Sequence, residues 1–281
     1  MVRRIARLAD IAAGFDAVIL DQWGVLHDGT TPYTGVPAAL KNLQTTCRLA
    51  VLSNSGKRAA PNQDRISALG YEDVHFERVM TSGEAFFQDV ASGWVPERSF
   101  FPVVARDGDF ESWAKGLDVR RAANVETCDA ILLMGLAEGS NGMSSSDWLN
   151  EAMQRHVPVY CTNPDHVSPR AGRAVQVSPG SLAAHHEAQG GRVCWYGKPH
   201  APIYRSVETA LGLHGRQLLM VGDSLKHDIH GAHAAGWSTV FVLSGIHAPA
   251  FTGADDPVAV IRHLCAQADI APPDYFMEAV A

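Results

Sequence analysis

The chain is short of the features that would assign several functions at once. Its five cysteines, Cys47, Cys128, Cys161, Cys194 and Cys265, are odd in number, widely spaced and contain no Cys-x-x-Cys pair. That argues against a disulfide framework and against a thiolate zinc site, and fits reduced thiols in a cytoplasmic protein. Basic charge is also scarce: 23 Lys and Arg face 30 Asp and Glu, a net charge of −7. A nucleic acid or an anionic membrane needs a basic face, so neither is expected as a partner. No apolar run approaches the ~20 residues that a membrane span requires. The N-terminal "MVRRIARLADIAAGFDAVIL" lacks a signal-peptide core because Asp10 and Asp16 interrupt it. It reads instead as an amphipathic helix running into a strand. Internal repeats and low-complexity tracts are absent as well.

What is present suits a soluble α/β protein. With 281 residues, 46% of them hydrophobic, the chain has room for two domains. Short apolar runs alternate with helical stretches, the pattern of a parallel sheet with crossover helices. The expected strands are "AVIL" before Asp21, "RLAVL" before Ser53, "FERVM" before Thr81, "DAILLMGL", "VPVYC", "RVCWYG", "QLLMVG" before Asp223, and "STVFVL" before Ser244. "VPAALKNLQTTC" and "APIYRSVETALGL" have helical spacing, the second beginning near Pro202. Asp21, Ser53, Lys198 and Asp223 each fall at or just past the end of an apolar run. Open parallel sheets bind ligands at the carboxyl ends of their strands, so these four residues define one candidate site. Between residues 82 and 190 the loops lengthen and fill with Gly, Ser and Asn, as in "GLAEGSNGMSSSD". That stretch reads as a second α/β unit inserted into the first.

Seven segments, in order, carry a resemblance: "DQWGVLHDG", "LAVLSNSGKR", "VMTSGEA", "LLMGL", "CTNPDHVSP", "WYGKPHAPIY" and "LLMVGDSLKHDIHGAHAAGW", with "PPDYF" near the end. Together they resemble the haloacid dehalogenase superfamily, class IIA, which holds the NagD-type and 4-nitrophenylphosphatase-like phosphatases. The resemblance implies a Rossmann-like parallel-sheet core over residues 1–81 and 191–281, with an inserted α/β C2-type cap over residues 82–190. It implies a Mg2+-dependent phosphatase for a small phosphorylated metabolite, in a branch where homodimers are common. Asp21 matches the nucleophile that becomes an aspartyl-phosphate. Ser53 matches the hydroxyl donor to the phosphoryl group, with Asn54 beside it. Lys198 matches the lysine that holds the phosphoryl group and the nucleophile. Asp223 matches the metal-binding acid and Asp228 the second acid that orients the metal's waters or the lysine. Asp21, Asp223 and the backbone carbonyl of Trp23 would form the protein share of an oxygen shell suited to Mg2+.

One position departs from the pattern. Most phosphatases of the superfamily have a second aspartate two residues after the nucleophile, and this chain has Trp23. An indole N–H donates but does not exchange a proton near neutral pH, and general acid–base help is typically worth ~10²–10⁴-fold. Three readings follow. The first is a phosphatase for leaving groups that need little protonation (aryl, acyl or phosphoramidate), with His27 as a substitute acid and substrate contact. The second is a carbon–halogen hydrolase, whose members carry an aromatic residue here; the retained metal acids count against it. The third is a phospho-ligand or partner-binding protein with little catalysis. His227, His230 and His233 lie three apart, a spacing that would also suit a zinc site, although the family does not use one.

Overall fold

A computed structural model describes residues 2–139, 147–169 and 175–280. The strands, in chain order, are β1 (Arg3–Arg4), β2 (Ala17–Asp21), β3 (Arg48–Ser53), β4 (Arg78–Thr81), β5 (Ser99–Val103), β6 (Arg120–Arg121) and β7 (Ala130–Leu133). They continue with β8 (Val159–Cys161), β9 (Val167–Pro169), β10 (Val175–Val177), β11 (Val193–Trp195), β12 (Leu218–Gly222), β13 (Ser238–Val242) and β14 (Tyr275–Met277). The chain divides into two compact units. The first comprises residues 1–53, 60–80 and 204–281, the second residues 54–59 and 81–203.

Among the described residues, the first unit holds a seven-stranded sheet of order β1-β14-β13-β12-β2-β3-β4. The pairs β1–β14, β13–β14, β12–β13, β2–β12 and β2–β3 are all parallel. β2 lies at its centre, and Val18, Ile19 and Leu20 are fully buried. Its near-continuous apolar run, rather than an alternating one, is what a parallel strand covered on both faces requires. The order reverses around β2, since β3 lies on one side and β12 on the other. That places the topological switch point at the carboxyl end carrying Asp21.

The second unit has its own five-stranded parallel sheet, β11-β8-β7-β5-β6, and a separate antiparallel pair of β9 and β10. Its core gathers Ile131, Leu133, Leu149, Val159 and Leu182. β11 pairs with β8 from Val193↔Val159 to Trp195↔Cys161, so residues 193–195, expected in the core domain, extend the second sheet.

The expected strands are all present, most of them shorter than their apolar runs. The two expected helices run over Val36–Leu43 and Ala201–Leu211. The N-terminus differs from the helix-then-strand expectation. Arg3 and Arg4 pair with Tyr275 and Phe276 before a short helix at Ala9–Ala12. Of the loop "GLAEGSNGMSSSD", residues 140–146 lie outside the described residues. No helix among the described residues is long and apolar enough to cross a membrane.

Candidate active site

In the first unit, the acids singled out by the sequence converge. Asp21, Asp223 and Asp228 each offer a carboxylate oxygen within 4.8 Å of the others. Asp21 is the last residue of β2, and Asp223 follows β12, the strand paired with it. Asp228 lies one helical turn further on, in the wide π-type turn Leu225–His230, and is fully buried.

Local structure fixes each of the three. Gln22 N–H donates to Asp21 Oδ1 at 2.7 Å. Ile246 N–H donates to Asp223 Oδ2 at 2.7 Å, and Ser224 N–H to Asp228 Oδ2 at 3.0 Å. Glycines clear the space around them. A Cβ at Gly24, which has φ +78°, would lie 1.9 Å from Asp223 Oδ2, and one at Gly245 would lie 2.1 Å from the same atom. A Cβ at Gly222 would meet Asp228 at 2.2 Å. Three carboxylates this close repel one another unless a cation sits among them. An all-oxygen donor set rich in carboxylates suits a hard divalent ion. The residues therefore fit the expected metal. Tyr204 reports the same crowding: its phenol is pushed well above its usual range by burial, then by Asp228 and Asp21.

Ser53 ends β3, beside β2, with Asp21 in register with Leu52. Lys198 and Asn54 belong to the second unit, where they bind each other. Lys198 N–H donates to Asn54 Oδ1 at 2.7 Å, and Asn54 Nδ2 donates to the Lys198 carbonyl at 3.3 Å and to Asp165 Oδ1 at 2.7 Å. Both donor hydrogens of the Asn54 amide thus have partners in its own unit. Asp165, from "CTNPDHVSP", is the residue whose part in this network the sequence did not reveal. Its signal was only its place within a matched motif.

His27, expected as a substitute acid and substrate contact, is enclosed. It is 0% exposed, and its Nδ1 accepts the Gly29 N–H at 2.9 Å. Its Nε2 is buried without a hydrogen-bond partner. Burial, and then the charge of Arg65, bring its pKa down to about 4. His27 is therefore a neutral imidazole enclosed in the loop. Trp23, 37% exposed, meets His27 edge to face with ring centroids 5.7 Å apart. The three spaced histidines do not form a metal cluster among the described residues. His233 instead pairs with Asp274 at 3.5 Å and with Thr239 Oγ1 at 3.0 Å.

Two family models match: a haloacid dehalogenase-like hydrolase model over residues 18–114 and a HAD-hydrolase-like model over residues 195–267. Between them they cover the loops of Asp21, Ser53, Lys198, Asp223 and Asp228. The chain belongs to the haloacid dehalogenase superfamily. It is 26% identical over 290 residues to chronophin from Mus musculus, spanning 99% of this chain and 95% of that protein. A haloacid dehalogenase-like hydrolase from Brucella suis superposes with a TM-score of 0.79 at 27% identity, covering 99% of this chain and 100% of that one. A glycerol phosphate phosphatase from Mycobacterium tuberculosis, solved in complex with magnesium, gives a TM-score of 0.72 at 23% identity, covering 96% and 77%. The fold is that of the class IIA relatives, a Rossmann-like parallel-sheet unit with a second α/β unit inserted in its sequence, consistent with their cap, and the chain is a hydrolase of phosphatase kin.

Proposed function

We propose that this chain is a Mg2+-dependent phosphohydrolase that cleaves a small phosphorylated metabolite through an aspartyl-phosphate on Asp21. The observation that carries the reading is the meeting of Asp21, Asp223 and Asp228 within 4.8 Å at the ends of two paired central strands. Asp21, Asp223 and the Trp23 carbonyl would hold the cation. When bound, it neutralises phosphoryl oxygens and lets a carboxylate approach them.

The chain's own groups perform the remaining work. The Asp21 carboxylate, oriented by the Gln22 amide at its Oδ1, attacks phosphorus. The Ser53 hydroxyl donates to a phosphoryl oxygen. Lys198, a compact charge with Asn54 fixing its backbone, holds the phosphoryl group, and Asp228 orients the polar groups around Asp223. The missing general acid is not replaced from within the loop. Trp23 has no exchangeable proton near pH 7, and His27 is enclosed. Asp28 already accepts from Thr30 and Thr31, which hold it well below the usual carboxylate range. The substrates are accordingly those whose leaving group departs with little protonation. The magnesium complex of the mycobacterial phosphatase supports the choice of ion, and the scattered thiols support a cytoplasmic location.

The test is phosphate release from 4-nitrophenyl phosphate and acetyl phosphate with Mg2+, comparing the native protein with Asp21→Asn. Loss of at least ~10³-fold is expected for the nucleophile variant. Undiminished turnover in Asp21→Asn would overturn the reading. Ligand binding with no turnover across a broad panel would favour a phospho-ligand binder instead.

A further inference from the structure

From Gln22 to His27, every residue of the nucleophile loop is buried except Trp23. The indole rests on a prepared seat. Gly29 has φ +103°, and a Cβ there would lie 2.1 Å from Trp23 Cη2, so only a glycine lets the six-membered ring lie on the loop backbone. The His27 ring abuts the indole at 71°. His27 is itself pinned by the Gly29 N–H at 2.9 Å, and the Gly29 carbonyl accepts from Arg65 Nη2 at 2.7 Å. One side of the indole is thus packed against a fixed glycine and a fixed imidazole. The indole as a whole stays 37% exposed, two residues along the chain from Asp21.

An indole seated in this way and 37% exposed offers aromatic surface, which favours contact with other aromatic rings. We infer that Trp23 is a specificity-determining residue whose indole selects phosphate monoesters of aromatic alcohols over acyl and alkyl phosphates. The inference rests on the phosphohydrolase reading and narrows its substrate class. Aliphatic acyl phosphates and alkyl phosphoramidates bring no ring to the indole, whereas an aryl ester does. In the first step an Asp21 oxygen forms a bond to phosphorus while the P–O(aryl) bond breaks. The electron pair leaves on the phenolate, which takes its proton from water. In the second step water attacks the aspartyl-phosphate, restoring the Asp21 carboxylate and releasing dihydrogen phosphate.

The test pairs binding with turnover. Affinities for phenylphosphonate and methylphosphonate are measured by calorimetry with Mg2+ in the native protein, Trp23→Leu and Trp23→Phe. The phenyl-to-methyl affinity ratio is expected to fall about three- to tenfold in Trp23→Leu and to recover mostly in Trp23→Phe. The kcat/KM ratio of 4-nitrophenyl phosphate to acetyl phosphate should fall in parallel, chiefly through KM. A native phenyl-to-methyl ratio near one, or a ratio that Trp23→Leu leaves unchanged, overturns the inference. If the phosphonate ratio behaves as expected and no phosphate compound is turned over, the phosphohydrolase reading fails while the indole's selectivity stands.

Discussion

Asp223 is held in a space that Gly24 and Gly245 keep open, and the first of them gives a sharp test. Ala at Gly24 would set a methyl 1.9 Å from Asp223 Oδ2 and force φ +78° on a residue with a Cβ. Gly253 has a similar φ of +73° with nothing within 4 Å of its Cβ position. Gly253→Ala therefore measures the backbone cost alone, about 1 kcal/mol. Gly24→Ala should cost roughly 2–4 kcal/mol in urea unfolding and should weaken Mg2+ binding as well. Equal losses in the two variants would mean that Asp223 is not confined as described. His27 gives a pH test. Its folded pKa of about 4 lies below the unfolded value of 6.5. The unfolded chain therefore takes up a proton that the folded one refuses. The stabilising difference is complete above pH 6.5 and is lost as pH falls towards 4, on the order of 3 kcal/mol. His27→Gln should flatten that limb of the stability profile.

At the scale of elements, the last long helix shows how local chemistry sets a boundary. Asp256 caps Pro257–Ala268 by accepting from the amides of Val258 and Ala259 at 3.0 and 3.1 Å. Asp256→Ala should cost about 1 kcal/mol and lower Tm by about 2–4 °C in a thermal melt. Apolar runs ending on an acid or a hydroxyl made the central strands legible. β2, β3 and β12 announce themselves because parallel strands covered on both faces must be apolar throughout. β5 was not legible, because Pro102 sits within "SFFPV" and proline argues against a central strand. β1 is two exposed arginines whose strand character comes entirely from Tyr275 and Phe276, far along the chain. The site divides the same way. Asp21, Asp223 and Asp228 could be named from their motifs. The burial of His27 and the grip of Asp165 on Asn54 depend on which residues meet after folding, which no local pattern records.

At the scale of the molecule, three carboxylates held together couple cation binding to the stability of the first unit. Saturating Mg2+ at a hundredfold over its Kd should stabilise the protein by about 2.7 kcal/mol, and a chelator should remove that gain. In Asp223→Asn the thermal melt should become insensitive to either addition. A melt equally raised by Mg2+ in that variant would argue that the ion binds elsewhere. Strand order has a further consequence, for a chain emerging from the ribosome. β2 must wait for β12, and β1 for β14, while the strands of the second unit are made in one run between them. At ~5–20 residues per second, Asp21 precedes Asp223 by on the order of 10–40 s. Throughout that interval "AVIL" lacks the neighbour that covers its edge, and Asp21 lacks the two acids it meets in the folded unit. Translation thus makes first the carboxylate that waits longest for its partners.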